Sequence, residues 1–258
     1  MAGIELKNII FKYPGSPLPV INDLSLNVSE GSFMTLIGPS GCGKSTLLRL
    51  IAGLEKPQSG SIRCGGKEIS APCTDIGMVF QSPALFPWLT VRENVAFAAR
   101  KANRSLSRAE SRSLAEEVLQ RVGLQNALGL FPSQLSGGMA QRTSLARALA
   151  INSPILLLDE PFSAIDPKNR MALQELILEL WENDRKTVLF VTHDIDEAIL
   201  LGDTIAFMEP GRIFTRHHVG FSRPRQRETL LVSAQCCTLR KKLISLFYQW
   251  GEAVEINP

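Results

Sequence analysis

The sequence lacks any dense grouping of cysteines and histidines. Its five cysteines include no C-x-x-C pair, and its three histidines do not stand at metal-ligand spacing from them. An odd, dispersed set of this kind argues against a disulfide framework and against a structural zinc site. We therefore expect a protein of a reducing compartment whose stability comes from a hydrophobic core.

Long apolar runs and strong net charge are missing as well. The longest apolar runs, such as residues 155–158, fall far short of the roughly 20 residues that span a bilayer. Residues 1–16 contain no basic stretch followed by an apolar core, so no secretory signal is predicted. The net charge of +3 is too mild to indicate a nucleic-acid-binding face. The sequence therefore predicts no nucleic-acid partner, and a protein that could serve a membrane only from its surface.

The sequence alternates short apolar runs with helical segments. Buried strands are predicted at Phe33–Ile37 and at residues 76–80, 155–158, 188–191 and 204–208. Helices are predicted between several of them, at residues 44–54, Pro167–Asp184 and Ile195–Leu201. This alternation favours an α/β fold with a parallel sheet, in which ligands gather at the carboxyl ends of the strands.

A helical region interrupts the alternation between residues 91 and 150. Its predicted helix at residues 108–122 has an apolar face that consists of Leu114, Val118 and Leu119. At its end, Ser136 can cap a helix over residues 139–150 and leave the N-terminus of that helix open to an anion.

A separate segment follows Arg223-Pro224-Arg225. Its apolar residues recur at helical spacing and predict a docked terminal helix; they are Leu230, Ala234, Cys237, Ile244 and Phe247. We therefore predict a main domain over residues 4–225, a helical subdomain inserted at about 86–152, and a helical extension over 226–258.

One glycine-rich string fits the pattern G-x-x-x-x-G-K-[ST]. This string, called the phosphate loop here, is Gly38-Pro39-Ser40-Gly41-Cys42-Gly43-Lys44-Ser45-Thr46. Its glycines let backbone N–H groups close on phosphate oxygens, and Lys44 can pair with the β and γ phosphates while Ser45 ligates Mg²⁺. The string lies between a predicted strand and a predicted helix, so we favour a nucleotide site over an ordinary turn. Because Cys42 lies inside the loop, we expect thiol alkylation to inhibit unless ATP protects.

The apolar run at residues 155–158 ends in two acids, Asp159 and Glu160. Two carboxylates at the end of a buried strand are costly unless they meet a metal ion or a reacting water molecule. Taken alone, the pair could equally mark a strand that emerges into solvent. Beside a phosphate loop, the pair favours a site for Mg²⁺ and water.

A second string discriminates among proteins with phosphate loops. This signature segment is Leu135-Ser136-Gly137-Gly138-Met139-Ala140-Gln141-Arg142. With the phosphate loop and the two acids, it resembles the ATP-binding subunits of ABC transporters. The resemblance covers about residues 4–225 and implies an α/β P-loop NTPase core with a parallel sheet, an antiparallel β portion and the helical insertion. Met139 and Ile165 are mild departures from the family pattern, which often has Gln and Leu at these positions.

The resemblance also implies roles for individual residues. Asp159 would hold Mg²⁺ with Ser45, and Gln81 would touch the metal and its water. Catalysis would rest on Glu160, which polarises the attacking water, on His193, which contacts the γ-phosphate, and on Lys44. The family assigns further nucleotide contacts to Tyr13 on adenine, to Ser136, Gly137 and Gly138 on the partner's ATP, and to Asp166 at the dimer interface.

The resemblance implies partners and a location. Two copies would join head to tail around two ATP molecules, beneath two transmembrane permease subunits at the cytoplasmic face of the cell membrane, with an extracytoplasmic solute-binding protein acting indirectly. Residues 86–95, 193–198 and 223–225 resemble the nitrate, sulfonate and taurine branch of bacterial importers. The apolar loop at residues 83–89 is either local core or a groove that receives a short helix of the permease.

Two alternative functions stay open at this point. One is a soluble ABC-type ATPase that acts on nucleic acid or ribosomes, which would normally carry two cassettes or a long coiled-coil insertion. The other is a P-loop kinase, which would leave the signature segment unexplained.

Overall fold

The computed structural model describes residues 2–163 and 165–255, with side chains as far as residue 246. The strands are β1 (Ile4–Phe11), β2 (Ile21–Val28), β3 (Phe33–Ile37), β4 (Ser59–Cys64), β5 (Lys67–Glu68), β6 (Ile76–Val79), β7 (Ile155–Asp159), β8 (Thr187–Val191), β9 (Thr204–Glu209) and β10 (Arg212–His218). The helices are α1 (Lys44–Ile51), α2 (Val91–Ala102), α3 (Arg108–Arg121), α4 (Gly137–Ile151), α5 (Pro167–Asp184), α6 (Ile195–Leu201), α7 (Arg227–Leu230) and α8 (Ala234–Glu255).

The described strands form two sheets. The larger sheet has the order β10-β9-β3-β8-β7-β6. Its strands pair in parallel except for β10, which runs antiparallel to β9. The smaller sheet is antiparallel, with the order β2-β1-β4-β5. The predicted α/β fold with a parallel sheet and an antiparallel portion is confirmed.

Both faces of the larger sheet are covered, which explains why its central strands are apolar throughout. All five residues of β7 and all five of β8 are buried. In β8, Val188 and Phe190 belong to a core shared with helices α2 to α5. Leu189 and Val191 belong to a second core, shared with α1 and the antiparallel sheet. Successive side chains of a strand point to opposite faces of the sheet. A strand whose two faces are both covered by a core is therefore apolar at every position.

The helical region is built from α2, α3 and α4. Thr90 and Ser107 begin α2 and α3 with capping boxes, in which Glu93 and Glu110 bond back to the cap residues. α4 begins at Gly137, two residues before the predicted start, and Ser136 is its N-cap, as its sequence position predicts.

Helix α1 ends earlier than predicted. The sequence favours a helix to residue 54, but α1 ends at Ile51. Gly53 takes a left-handed φ of 71°, and a Cβ there would lie 2.6 Å from the backbone of Ala71. The chain therefore turns away at Gly53, as helices commonly do at a glycine.

The predicted terminal helix is correct in kind but wrong in its buried face. Leu230 belongs to the separate short helix α7, and Ala234 is exposed. The buried side chains of α8 are Cys236 and Leu243, with Leu239 and Leu246 packed beside them, so the contact face is shifted by one residue from Cys237 and Ile244. The side chain of Phe247 lies outside the described residues. Within the described part of the chain, no helix has the length and apolar character needed to cross a membrane.

Candidate nucleotide-binding site

The phosphate loop joins the carboxyl end of β3 to the start of α1. Gly38 is required by packing, because a Cβ there would lie 2.2 Å from the backbone oxygen of Met208 in β9. Gly43 occupies the N-cap position of α1 with a φ of 109°, a left-handed conformation that favours glycine. Since glycine has no capping side chain, the first N–H groups of α1 are left for an anion.

Lys44 holds its ammonium group across the loop. Its Nζ donates hydrogen bonds of 2.8 Å to the carbonyl oxygens of Gly38 and Pro39. The same loop lines a cleft of about 300 Å³, whose wall also includes Gln81 and Glu160. The ammonium group is thus fixed beside a polar cleft, where it can pair with phosphate oxygens.

Asp159, the last residue of β7, is a buried carboxylate beside Ser45. It is 4% exposed, and among the described residues its Oδ1 has no hydrogen-bond partner. Burial raises the pKa of this carboxyl group, a hydrogen bond with Ser45 opposes the rise, and the charge of Glu160 adds to it. An orphaned buried carboxylate oxygen next to a hydroxyl fits Mg²⁺, which prefers oxygen ligands and needs only one or two carboxylates. Asp159 lines a second pocket, which shares Ser45, Thr46 and Gln81 with the cleft of the phosphate loop.

Glu160 meets two other predicted site residues. Its Oε2 lies 3.3 Å from Nε2 of Gln81 and 3.4 Å from Nδ1 of His193. The backbone N–H of Glu160 donates to the carbonyl oxygen of Val191 at 3.0 Å, which ties the end of β7 to the end of β8. The parallel sheet thus brings together three residues that are far apart in sequence.

Tyr13 lines the second pocket, beside Asp159. Its hydroxyl is 3.3 Å from Oγ1 of Thr46, and its ring packs edge-on against Phe11 with centroids 4.8 Å apart. The half-buried ring lines this pocket together with Arg49 and Ala84. This position suits a base that stacks on Tyr13, and the adenine contact stays a prediction.

The signature segment stands apart from this cleft. Ser136 accepts a hydrogen bond of 3.3 Å from the backbone N–H of Met139, and Gly137 and Gly138 form the first turn of α4. Ser136 and Gly137 are exposed. Considering only described residues, the wall of the cleft beside the phosphate loop includes none of the signature residues. Within the described part of the chain, the exposed helix N-terminus and the cleft of the phosphate loop are thus separate features.

Asp166 is likewise exposed, as the N-cap of α5. Its carboxylate accepts from the backbone N–H of Asn169 at 3.1 Å and from Nδ2 of Asn169 at 2.6 Å. These hydrogen bonds lower the pKa of Asp166. Ala164, two residues before Asp166, lies outside the described residues.

Sequence reasoning missed two residues next to His193. Thr192 and Glu197 are buried, and the Thr192 hydroxyl donates to the Glu197 carboxylate at 2.6 Å. The available signal was an acid at residue 197 that directly precedes the apolar run 198–201 of α6. A charged side chain beside such a run needs a partner.

The family model described as ABC transporter matches residues 21–163. The chain therefore belongs to the ABC transporter family and is an ATPase of that family.

Among curated proteins, the chain is similar to the bicarbonate transport ATP-binding protein CmpD of Synechocystis, at 42% identity over 96% of this chain and 89% of that protein. It is also similar to the nitrate import ATP-binding protein NrtD of Synechococcus elongatus, at 43% identity over 93% of this chain and 88% of that protein. These similarities confirm the predicted resemblance to the nitrate branch. The nucleic-acid and kinase alternatives are not favoured.

A solved structure extends the comparison to the fold. The dimeric structure of the ATP-binding cassette MJ0796 in a post-hydrolysis state, bound to ADP and phosphate, matches with a TM-score of 0.79 and 36% identity. The match covers 84% of this chain and all of that one. The P-loop NTPase fold is thereby confirmed.

Proposed function

We propose that this chain drives the import of a small inorganic anion, bicarbonate or nitrate, by hydrolysing ATP between two copies of itself. The observation that carries the proposal is the separation of two half-sites on one chain, the phosphate loop in its cleft and the exposed N-terminus of α4. In a head-to-tail dimer, α4 of one copy completes the phosphate site of the other. The solute class comes from the names of the relatives CmpD and NrtD.

Binding rests on the residues of the cleft. The N–H groups of the phosphate loop and the ammonium group of Lys44 bind the β and γ phosphates. Mg²⁺ would be held by Ser45 and Asp159 with Gln81 nearby, and it would neutralise charge on the phosphate oxygens. Tyr13 stacks on the adenine ring.

Hydrolysis rests on Glu160 and His193. Glu160 accepts a hydrogen bond from water and draws its proton as the water oxygen attacks the γ-phosphorus. The bond from that phosphorus to the bridging oxygen breaks, which leaves ADP and inorganic phosphate. His193, whose Nδ1 is 3.4 Å from Glu160, donates to the γ-phosphate and orders the carboxylate.

The partner copy supplies the remaining contacts. Ser136, with the backbone N–H groups of Gly137 and Gly138, faces the γ-phosphate of the other subunit. A helix N-terminus favours an anion, so closure of the dimer depends on bound ATP. Asp166 lies at the same interface.

An aromatic surface on the helical region of each copy would receive one permease subunit. The side chain of Trp88 is 70% exposed, and Phe86 packs between Trp88 and Phe97. Buried Asn94 fixes this loop, since it accepts from the backbone N–H of Phe86 and donates to the carbonyl oxygens of Phe86 and Leu89. An exposed aromatic patch held rigidly in this way is typical of a partner site. Gln81 begins the same loop, so closure at the cleft can reach the permease.

The chain would thus lie peripherally on the cytoplasmic face of the membrane. An extracytoplasmic solute-binding protein would act only through the permease. Specificity for the anion would belong to those partners, while this chain supplies the free energy of ATP hydrolysis.

A tagged pull-down from gently solubilised membranes tests the assignment. The wild-type chain should recover multi-span membrane subunits, and Trp88→Glu should lose them, because a charge disrupts an apolar contact. Val232→Glu, at an equally exposed apolar residue between α7 and α8, is the matched control and should retain them. Recovery with ribosomes or nucleic acid alone would contradict the transporter assignment. Uptake of labelled bicarbonate and nitrate by the recovered complex in vesicles then identifies the anion.

A further inference from the structure

Glu197 is a buried carboxylate for which the proposed reaction has no use. It is 4% exposed at the start of the buried run of α6. Its Oε2 accepts a hydrogen bond of 2.6 Å from the hydroxyl of Thr192, and its Oε1 accepts one of 3.0 Å from Nε2 of Gln174 in α5. Two good donors offset much of the cost of burying this charge.

The hydroxyl of Thr192 passes this constraint to the turn that carries His193. While it donates to Glu197, its oxygen accepts a hydrogen bond of 3.0 Å from the backbone N–H of Asp194. The backbone N–H of Thr192 is itself bonded to the carbonyl oxygen of Leu36 in β3. His193 lies between these two anchored residues, and its Nδ1 is 3.4 Å from Oε2 of Glu160. Glu197 is therefore connected to the candidate catalytic pair through a single side chain.

The opposite end of the chain of hydrogen bonds lies in the C-terminal extension. Oε1 of Gln174 accepts a hydrogen bond of 2.6 Å from Nη1 of Arg227 in α7. Both polar atoms of the Gln174 amide are thus hydrogen-bonded, and the two bonds fix its orientation. Its oxygen faces the guanidinium group of Arg227, and its NH₂ group faces Glu197. A second contact, of 2.5 Å from Nε of Arg240 to Oδ1 of Asp196, docks α8 on α6.

We infer that Glu197 is a positioning residue for His193, and that Arg227 is the outer support of the same hydrogen-bonded chain. The C-terminal extension thereby stabilises the arrangement of the ATPase site, although none of its described residues lines the cleft. The inference rests on the proposed function only for the roles of His193 and Glu160. The hydrogen bonds form a continuous series of donors and acceptors that ends at the turn of His193. In order, the series joins Arg227, Gln174, Glu197 and Thr192.

Glu197→Gln keeps the size of the side chain and breaks the donor pattern. One of the two donors that face residue 197 would meet an NH₂ group instead of an oxygen. A flip of Gln174 cannot relieve this conflict, because it would place the Gln174 NH₂ group against Arg227. We expect kcat for ATP hydrolysis by the full chain to fall by about 10-fold to 100-fold, because a small displacement of a catalytic group costs this much in rate. KM for ATP should change less than about twofold, because the phosphate loop is intact.

A spectroscopic readout separates positioning from general destabilisation. The chain has three histidines, so imidazole NMR can follow His193 against His217 and His218 as internal references. Glu197→Gln and Arg227→Ala should shift the His193 resonances and leave those of His217 and His218 in place. Arg227→Lys, which keeps a donor, should restore much of the wild-type spectrum and rate. Lys241→Ala, at an exposed residue of α8, is the matched control.

Unchanged His193 resonances in both Glu197→Gln and Arg227→Ala would overturn the inference. A parallel loss of kcat and thermal stability in Lys241→Ala would overturn it as well, by showing that the extension acts only through folding. If the wild-type chain hydrolyses no ATP, the proposed function fails, yet the NMR comparison still decides the positioning role.

Discussion

Glu160 is held in a backbone conformation that glutamate seldom adopts. Its φ is 44°, in the left-handed region, which costs a non-glycine residue about 1–3 kcal/mol. The conformation accompanies the hydrogen bond from its backbone N–H to Val191 and the approach of its carboxylate to Gln81 and His193. Backbone strain of this size, at the residue where the side chains of Glu160, Gln81 and His193 come together, supports the proposed catalytic role of Glu160.

Cys42 is less reactive than its place in the phosphate loop suggests. The sequence predicts that alkylation inhibits unless ATP protects, but the thiol is 2% exposed and burial raises its pKa. Because the thiolate is the reactive form, exposed Cys73 should be modified first. Brief maleimide treatment at neutral pH should therefore label Cys73 and leave ATP hydrolysis unchanged, as mass spectrometry and an ATPase assay would measure.

Cys73→Ser is the control for this experiment, and it should abolish the early label. Rapid labelling of Cys42 with loss of hydrolysis in that variant would show that the loop opens freely. ATP protection against slow modification would still agree with the nucleotide site.

At the residue scale, the sequence predicted which polar residues come together better than it predicted their surroundings. The phosphate loop, Asp159, Glu160, Gln81 and His193 follow from motif and order. The structure groups the first four around two adjoining pockets, and His193 contacts Glu160. The burial of Cys42 and the contact of Glu197 with Gln174 could not be predicted, because both depend on how separate elements pack together.

At the scale of the element, the capping box of α2 gives a pH-dependent prediction. Glu93 accepts hydrogen bonds from the backbone N–H and hydroxyl of Thr90, and these lower its pKa. A carboxyl group with a lowered folded-state pKa contributes stability above its unfolded pKa and loses that contribution as pH falls through the folded value. Glu93→Ala should therefore lower the urea midpoint at neutral pH, and the difference from wild type should shrink in acid.

Urea unfolding of Glu117→Ala provides the control, because Glu117 is an exposed glutamate of the neighbouring α3. Its substitution should leave the midpoint nearly unchanged at both pH values. A constant difference between Glu93→Ala and wild type down to the acid limit of folding would contradict the capping account.

The strands differ in how well the sequence predicts them. Strands β7 and β8 are uniformly apolar because both sheet faces are covered, so their apolar runs predict them well. The antiparallel strand β1 was not located, since a bulge near Asn8, whose φ is 47°, interrupts its alternation. Strand β2 was not located either, and its polar Asn22, Asp23 and Ser25 have low or neutral β-propensity.

In the proposed dimer, the whole molecule would contribute half of each of two sites. The cleft is lined by the phosphate loop and Glu160, which contacts His193, while none of the described signature residues lines this cleft. The family and the fold could be predicted from the order of the motifs, because each motif has a fixed place on the sheet. The contact face of α8 could not be predicted in the same way. A set of residues shifted by one position along the helix has the same helical period, so periodicity alone does not select the buried face.

The ATP-dependent dimer is the central claim, and light scattering of Glu160→Gln measures it most directly. Removing the general base should leave ATP binding intact and stop hydrolysis, so the variant should be monomeric alone and dimeric with ATP and Mg²⁺. Ser136→Arg in the same background should bind ATP but stay monomeric, because a bulky cation blocks the exposed half-site. A Glu160→Gln chain that binds ATP and remains monomeric, or a dimer that survives Ser136→Arg, would contradict the account.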